Sequence, residues 1–198
     1  MPRQRVAALH DARRVEHARE CTLGYVAATL RKLAEIDALG EREFVARLGA
    51  VFEHSPWVAE RTWKKKPFRS VDKLHEAMME SVMNATQDEQ LALVCAHPEL
   101  AGREANTGTL TSGSSSEQGR LGFTSLAPDE FRQMQDINRR YRQKFGFPCI
   151  VALKLHASRG SVVAEMERRL ANDAAAELKN ALAQIGHIAL GRLQRMVS

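Results

Sequence analysis

The stretch PDEFRQMQDINRRYRQKFG, residues 128–146, indicates most directly how this chain folds. Its proline suits the first turn of a helix, and its final glycine suits the position just after the last turn. Between them, apolar side chains recur at the spacing that places them on one face of an α-helix: Phe131, Met134, Ile137 and Tyr141. The stretch therefore predicts an amphipathic helix that buries this face.

The same helical periodicity continues along most of the chain. Asp88 can cap one helix, and Ser70 can cap another whose apolar face would consist of Val71, Leu74, Met78, Val82 and Met83. Two further helices are predicted over about 161–170 and about 174–196. Residues 149–155 are β-like, but a single strand cannot form a sheet, so we expect a buried extended segment there. The predicted fold is all-α, a compact multi-helix single domain.

The length of 198 residues fits one domain, or one domain with an appendage. Residues 1–40 are rich in Ala and Arg and offer few candidates for a buried face, so we interpret them as an N-terminal helical extension. Those candidates are Tyr25, Leu30 and Leu33. We place the main domain at residues 41–198.

The apolar residues and the cysteines limit the class of protein. No run of about 18 apolar residues occurs, and the start of the chain lacks the apolar stretch of a signal peptide. The C-terminal Met196-Val197-Ser198 is not a peroxisomal signal, so we expect a cytoplasmic protein without a membrane partner. Cys21, Cys95 and Cys149 stand far apart, which predicts neither a disulfide framework nor a zinc site.

The positive charge leaves two kinds of partner open. A net charge of +5 suits either a small anionic substrate or a nucleic acid. The alternative to an enzyme is a basic helical module that binds nucleic acid or a partner helix and has no catalytic activity. Its phosphate contacts would be the Arg-rich start, Lys64-Lys65-Lys66 and Arg139-Arg140. The basic residues are otherwise scattered, as on an ordinary solvated surface.

Residues 102–116 are rich in Gly, Ser and Thr and are predicted to form a long loop with a possible site at its end. There, Ser114 to Glu117 fit a capping box that would open a helix, where backbone N–H groups can bind an anion. A plain structural cap fits the same pattern.

His97 stands at the end of a helix, directly before a proline, and a histidine there could transfer protons at neutral pH. A structural role for His97 fits the pattern as well, and His54 is a competing candidate for the proton-transfer role.

Several stretches in this order resemble the 2-oxo-4-hydroxy-4-carboxy-5-ureidoimidazoline (OHCU) decarboxylase family, which carries out the last step from urate to (S)-allantoin. They are EHSPW at 53–57, HPELAG at 97–102, SSSEQ at 114–118 and KFGFP at 144–148. Pro67-Phe68, Tyr141, Ile188 and Arg192-Leu193 add to the match, which extends from about residue 40 to 196. The four stretches are specific in combination, although each is weak alone.

The resemblance implies an all-α homodimer that uses no metal or organic cofactor, acts on a small anionic purine-derived substrate and binds no nucleic acid. It implies that His97 is the catalytic acid/base and that Glu117 acts at the reacting ring. The implied substrate-binding residues are Pro98, Ser114, Ser115, Ser116, Glu117, Gln118, Cys149, Ile150, Val151, Ala152, Leu153 and Arg192. The family usually has an aromatic residue where Cys149 stands and often an arginine where Lys154 stands.

Decarboxylation of such a substrate would need no cofactor as electron acceptor, because its own ring C=N bond can accept the electron pair left by CO2. Positioning, proton transfer and charge stabilisation would remain as the tasks of the protein. Our hypothesis is that His97 exchanges a proton with the ring hydroxyl or the developing enol. Glu117 would fix the protonation state of His97 or the orientation of the ring.

Overall fold

The computed structural model describes residues 28–197, and within this range the chain forms helices joined by turns and short irregular segments, with no strand. The α-helices are α1 (28–38), α2 (Glu41–Leu48), α3 (Trp57–Trp63), α4 (Val71–Met83), α5 (Gln87–Cys95), α6 (Arg103–Thr107), α7 (Ser112–Arg120), α8 (Pro128–Phe145), α9 (Arg159–Arg169) and α10 (Ala174–Val197). Short 3-10 helices cover Gly49–Val51 and Leu153–Leu155. The all-α prediction is confirmed.

The long helices follow the predicted periodicity closely. In α8, Pro128 lies in the first turn and Gly146 ends the helix in the left-handed conformation with φ of 80°. Met134, Ile137 and Tyr141 are buried on one face, while Phe131 is half-buried. In α4, the Ser70 hydroxyl accepts the Lys73 N–H as expected, and the predicted apolar face is buried apart from Val71 and Met83.

Two predicted helix starts are wrong. Helix α5 is capped by Thr86 rather than Asp88, because Thr86 and Glu89 form a reciprocal capping box. Helix α7 is capped by Thr111, whose hydroxyl accepts the N–H of Ser114. Ser114 is therefore the third residue of the helix and not its cap. The predicted long loop over 102–116 is also wrong, since it contains α6 and the first turns of α7.

Helix α1 is attached to the main body. Leu33 belongs to the buried core, whereas the predicted face residue Leu30 is 53% exposed. The Asp37 carboxylate accepts the backbone N–H of Phe68 at 2.9 Å, and the Lys66 ammonium donates to the Asp37 carbonyl at 2.8 Å. Tyr25, Cys21 and the Arg-rich start lie outside the described residues.

Helix α10 lies at the centre of the fold, where it packs against α4, α5 and α8. Its buried face includes Leu182, Ile185, Ala189 and Leu193. The predicted extended segment at 149–155 is buried through Leu153 and then forms the short 3-10 helix. This segment and α10, together with α7 and the residues that follow α5, surround a partly open cavity.

Candidate active site

The cavity is a partly open pocket with about 570 Å³ of non-atom space, a figure that includes the solvent at its mouth. Four parts of the chain meet there: the residues after α5, the inner face of α7, the segment that follows α8, and the last turns of α10. The lining residues are His97, Pro98, Leu100, Ser114, Glu117, Gln118, Cys149, Ile150, Val151, Ala152, Leu153, Lys154, Ile188, Gly191, Arg192 and Arg195.

His97 has one ring nitrogen engaged and one free. The residue is 6% exposed, and its Nδ1 lies 2.9 Å from the Leu93 carbonyl oxygen. A carbonyl only accepts hydrogen bonds, so Nδ1 carries the proton of the neutral ring. Nε2 is buried and has no hydrogen-bond partner among residues 28–197. Burial lowers the pKa of His97, so the ring is neutral at pH 7 and Nε2 can accept a proton.

The Glu117 carboxylate lies in the same cavity and is held by two arginines. Arg192 donates to it from Nε at 3.1 Å and from Nη2 at 2.9 Å. Arg195 donates to Oε1 at 3.0 Å. The Glu117 side chain retains 23% exposure, so the carboxylate is fixed in direction and still accessible from the cavity. The backbone of Leu93, rather than Glu117, sets the tautomer of His97.

Behind Glu117, a second carboxylate belongs to Glu53, which lies in the EHSPW stretch but received no role from the sequence. Glu53 is 2% exposed and accepts hydrogen bonds from the Thr111 hydroxyl, from the Ser114 hydroxyl at 3.1 Å and from Arg192 Nη1 at 2.8 Å. Burial raises the pKa of Glu53, but the Thr111 hydrogen bond and the Arg192 charge outweigh it and the net shift is downward. Glu53 is therefore an anion that anchors Arg192 and the start of α7.

The residues of the SSSEQ stretch have different environments. Ser114 is buried and bonds to Glu53 and Arg192, whereas Ser115 and Ser116 are exposed and do not line the cavity. Gln118 lines the cavity, but its amide already has two backbone partners: it accepts from the Ala101 N–H at 3.0 Å and donates to the Glu99 carbonyl at 3.2 Å.

These bonds hold the turn that follows His97 and Pro98. Ala101 adopts a left-handed conformation with φ of 50°, which is costly for a residue with a side chain. Gly102 follows, and a Cβ there would lie 2.8 Å from Glu99 Cβ. The Asn138 amide donates to the Leu100 carbonyl at 2.9 Å. Contacts from α7 and α8 thus compensate for an unfavourable backbone that positions Pro98 and Leu100.

The wall of the cavity formed by residues 149–154 is held in place by buried polar groups. Arg169 Nη1 donates to the Ile150 carbonyl at 2.6 Å, and Gln184 accepts the Ala152 N–H at 2.8 Å. Arg169 itself forms a fully buried ion pair with Glu177. Burial raises the pKa of Cys149 to about 12, so its thiol is neutral at this wall.

The cavity also contains residues that the sequence did not assign to a site. Leu100, Ile188 and Gly191 form apolar surface, and the cationic side chains of Lys154 and Arg195 lie at the cavity as well. The available signals were the HPELAG stretch for Leu100, the family match for Ile188, and for the others a position on α10 or next to the 149–153 segment. His54, the competing histidine, is exposed and does not line this cavity.

The lysine run is largely engaged within the protein. Lys65 donates to the Ala77 carbonyl and pairs with Glu80 at 3.0 Å, and Lys66 binds the backbone at the end of α1. Arg139 and Arg140 pair with Asp136, four or fewer residues earlier in α8. These pairings do not favour the nucleic-acid-binding alternative.

Residues 28–197 contain neither a metal-binding cluster nor a helix suited to span a membrane. No group of three His, Cys, Asp or Glu side chains there is arranged to hold a metal ion. None of the helices in that range is long and apolar enough to cross a membrane.

Comparison with known proteins adds independent findings. The model of the OHCU decarboxylase family matches residues 37–194. The 2-oxo-4-hydroxy-4-carboxy-5-ureidoimidazoline decarboxylase of Halalkalicoccus jeotgali is 38% identical over 162 residues, covering 82% of this chain and 89% of that protein. The protein of the same name from Haloferax volcanii is 37% identical, covering 84% of this chain and 96% of its own length.

A solved structure shows the same fold. The crystal structure of (S)-allantoin synthase matches with a TM-score of 0.67 and 27% identity over 83% of this chain. The present chain spans 54% of that protein, so the likeness concerns about half of it.

Proposed function

The chain belongs to the OHCU decarboxylase family, and from this premise we propose that it catalyses loss of CO2 from 2-oxo-4-hydroxy-4-carboxy-5-ureidoimidazoline to give (S)-allantoin in urate degradation. The observation that carries the proposal is that His97, whose Nε2 has no hydrogen-bond partner among residues 28–197, lines a cavity that Glu117 also lines. A neutral imidazole with one nitrogen engaged and the other free is suited to move a proton on a bound ring.

The proposed sequence of steps begins with cleavage of the bond between the ring carbon and the carboxylate. The electron pair moves into the adjacent ring C=N bond, whose nitrogen takes up a proton from solvent, and an enol results. His97 Nε2 accepts the enol hydroxyl proton and returns a proton to the neighbouring carbon, which converts the enol to the ketone of allantoin. Such acid/base assistance accelerates a reaction by about 10²–10⁴-fold.

The stereochemistry of the product depends on which face of the planar enol receives the proton. His97 and Pro98, which follow α5, and the 149–153 segment both line the cavity. Glu117, held by Arg192 and Arg195, is a fixed acceptor for the N–H groups of the ring or its ureido group. A ring oriented by Glu117 would present a single face to His97, which accounts for formation of one enantiomer.

We also propose that the protein works in the cytoplasm and that it is a homodimer, the latter as the family resemblance implies. Sedimentation of the purified protein tests the second part: a mass of about twice the 22.1 kDa of one chain supports a dimer, and the single-chain mass contradicts it.

The function is tested by supplying the purified full-length protein with freshly generated OHCU and following allantoin by circular dichroism. The unassisted reaction gives a racemate with no signal, so we expect a faster reaction and a signal of one sign. A rate equal to that in buffer, or a racemic product, would contradict the proposal. The His97→Gln variant, prepared in parallel, controls for contaminating enzymes.

A further inference from the structure

The resemblance assigns Arg192 to the anionic substrate, but every N–H group of its guanidinium already donates to a protein acceptor. A guanidinium has five N–H groups. Nε and Nη2 donate to Glu117, Nη2 also donates to Ser114 at 3.2 Å, and Nη1 donates to Glu53 and to the Val51 carbonyl at 3.3 Å. Its side chain is only 8% exposed. Arg192 is therefore occupied in positioning the two carboxylates.

Lys154 has the opposite character. It follows directly after the 149–153 wall, lines the same cavity and is exposed at its mouth. Its Cδ and Nζ lie 3.4 Å from the point that a Cβ of Gly191 would occupy, so its chain extends along α10 where no side chain interferes. Between residues 28 and 197, Lys154 forms neither an ion pair nor a side-chain hydrogen bond.

The charges around the cavity do not balance. Glu53 and Glu117 oppose Arg192, Arg195 and Lys154, which leaves one positive charge. Burial and the neighbouring charge of Arg195 lower the pKa of Lys154, and Glu117 only partly offsets them. A cation destabilised in this way gains from a bound anion, and a singly charged carboxylate would restore neutrality.

We propose that Lys154 supplies the positive charge that binds the carboxylate of the substrate, and that Arg192 is a positioning residue for Glu117. This inference rests on the proposed function for the identity of the anion.

The test compares two hydantoins that differ by one charge, hydantoin-5-acetate and its neutral amide, by titration calorimetry on the full-length protein. We expect Lys154→Met to weaken acetate binding about tenfold and to leave amide binding within about twofold. Lys154→Arg should retain acetate binding. Lys179→Met, which removes an exposed charge elsewhere on α10, is the matched control and should bind both ligands normally.

Kinetics supply a second readout. For OHCU, KM of Lys154→Met should rise about tenfold while kcat changes by less than about threefold, because the lysine acts on binding. Unchanged acetate binding, an equal loss for acetate and amide, or an equal loss in Lys179→Met would overturn the inference. No acetate binding by the wild type would overturn it as well. Lys154-dependent acetate binding without decarboxylation would instead refute the proposed function and leave the anion site standing.

Discussion

The Nδ1 atom of His97 lies 2.9 Å from the backbone oxygen of Leu93, one helical turn earlier. This contact orients the imidazole without using any titratable partner, so the ring keeps a single neutral tautomer. The carboxylate at the same cavity, Glu117, is left to interact with the substrate. Among residues 28–197 no hydrogen bond joins the imidazole to the network that Arg192 organises, although the charges of Glu53, Arg192 and Glu117 act on the pKa of His97.

The buried His97 should make stability depend on pH. Its folded-state pKa is lowered by burial, so below about pH 6.5 the unfolded chain binds a proton that the folded chain does not. The free energy of unfolding should therefore fall as the pH drops from 7.5 to 5. In His97→Gln this loss should be smaller, as measured by urea unfolding at each pH. Burial also lowers the pKa of His75, but His75 is present in both proteins, so its contribution to the pH dependence is the same in each. Parallel pH profiles would refute this prediction.

Removal of the Arg192 charge should destabilise the protein strongly. Arg192→Met leaves Glu53, which is 2% exposed, without its cation, and breaking a buried pair in this way costs about 3–5 kcal/mol. In the double variant Arg192→Met/Glu53→Gln the loss should be smaller than the sum of the two single losses. Urea unfolding measures all three. Strict additivity would show that the two residues are not coupled.

Gly113 should not tolerate a methyl group. A Cβ there would lie 3.2 Å from Cζ of Arg192, which cannot move without breaking its hydrogen bonds. Gly119 in the same helix is the matched control, because its nearest neighbour would be Thr124 Oγ1 at 4.0 Å. Gly119→Ala should stabilise the protein by about 0.5–1 kcal/mol, whereas Gly113→Ala should give no gain or a loss. Equal melting shifts in the two variants would contradict the close approach.

The bond between Gln184 and the Ala152 N–H should affect substrate binding through the cavity wall. Gln184→Leu leaves this buried N–H without its acceptor, at a cost of about 1–3 kcal/mol. We expect KM to rise at least threefold because the wall shifts. Gln90→Leu removes bonds from a glutamine amide to the Val82 and Met83 carbonyls, and neither of these residues lines the cavity, whereas Ala152 does. If both variants raise KM equally, the effect is general destabilisation and the wall contact is not responsible.

The helices were predictable where local chemistry determines them. Ser70, Pro128 and Gly146 mark helix ends by properties of their own, and periodic apolar residues lie between such signals. Neighbouring candidates with similar side chains were harder to separate. Thr86, and not Asp88, caps α5 because it lies three residues before Glu89 and can form the reciprocal capping box. Thr111 caps α7 because its hydroxyl accepts the N–H of Ser114.

The charged network of the cavity could not be predicted from local pattern. Glu53 and Arg192 are 139 residues apart in sequence, and neither position differs locally from an ordinary surface residue. The same holds for Arg169, whose bond to the Ile150 carbonyl depends on the packing of α9 behind the wall. His97 and Glu117 were found through the family resemblance, because the helical pattern alone allowed a structural role for each.

The central claim is that the free Nε2 of His97 transfers the proton, and the His97→Gln variant tests it most directly. Glutamine can still donate to the Leu93 carbonyl but cannot exchange a proton near neutral pH. With OHCU as substrate, formation of (S)-allantoin should fall by at least about 10²-fold, while helix content and hydantoin-5-acetate binding stay at wild-type values. A folded His97→Gln protein that forms (S)-allantoin within about threefold of the wild-type rate would contradict the account.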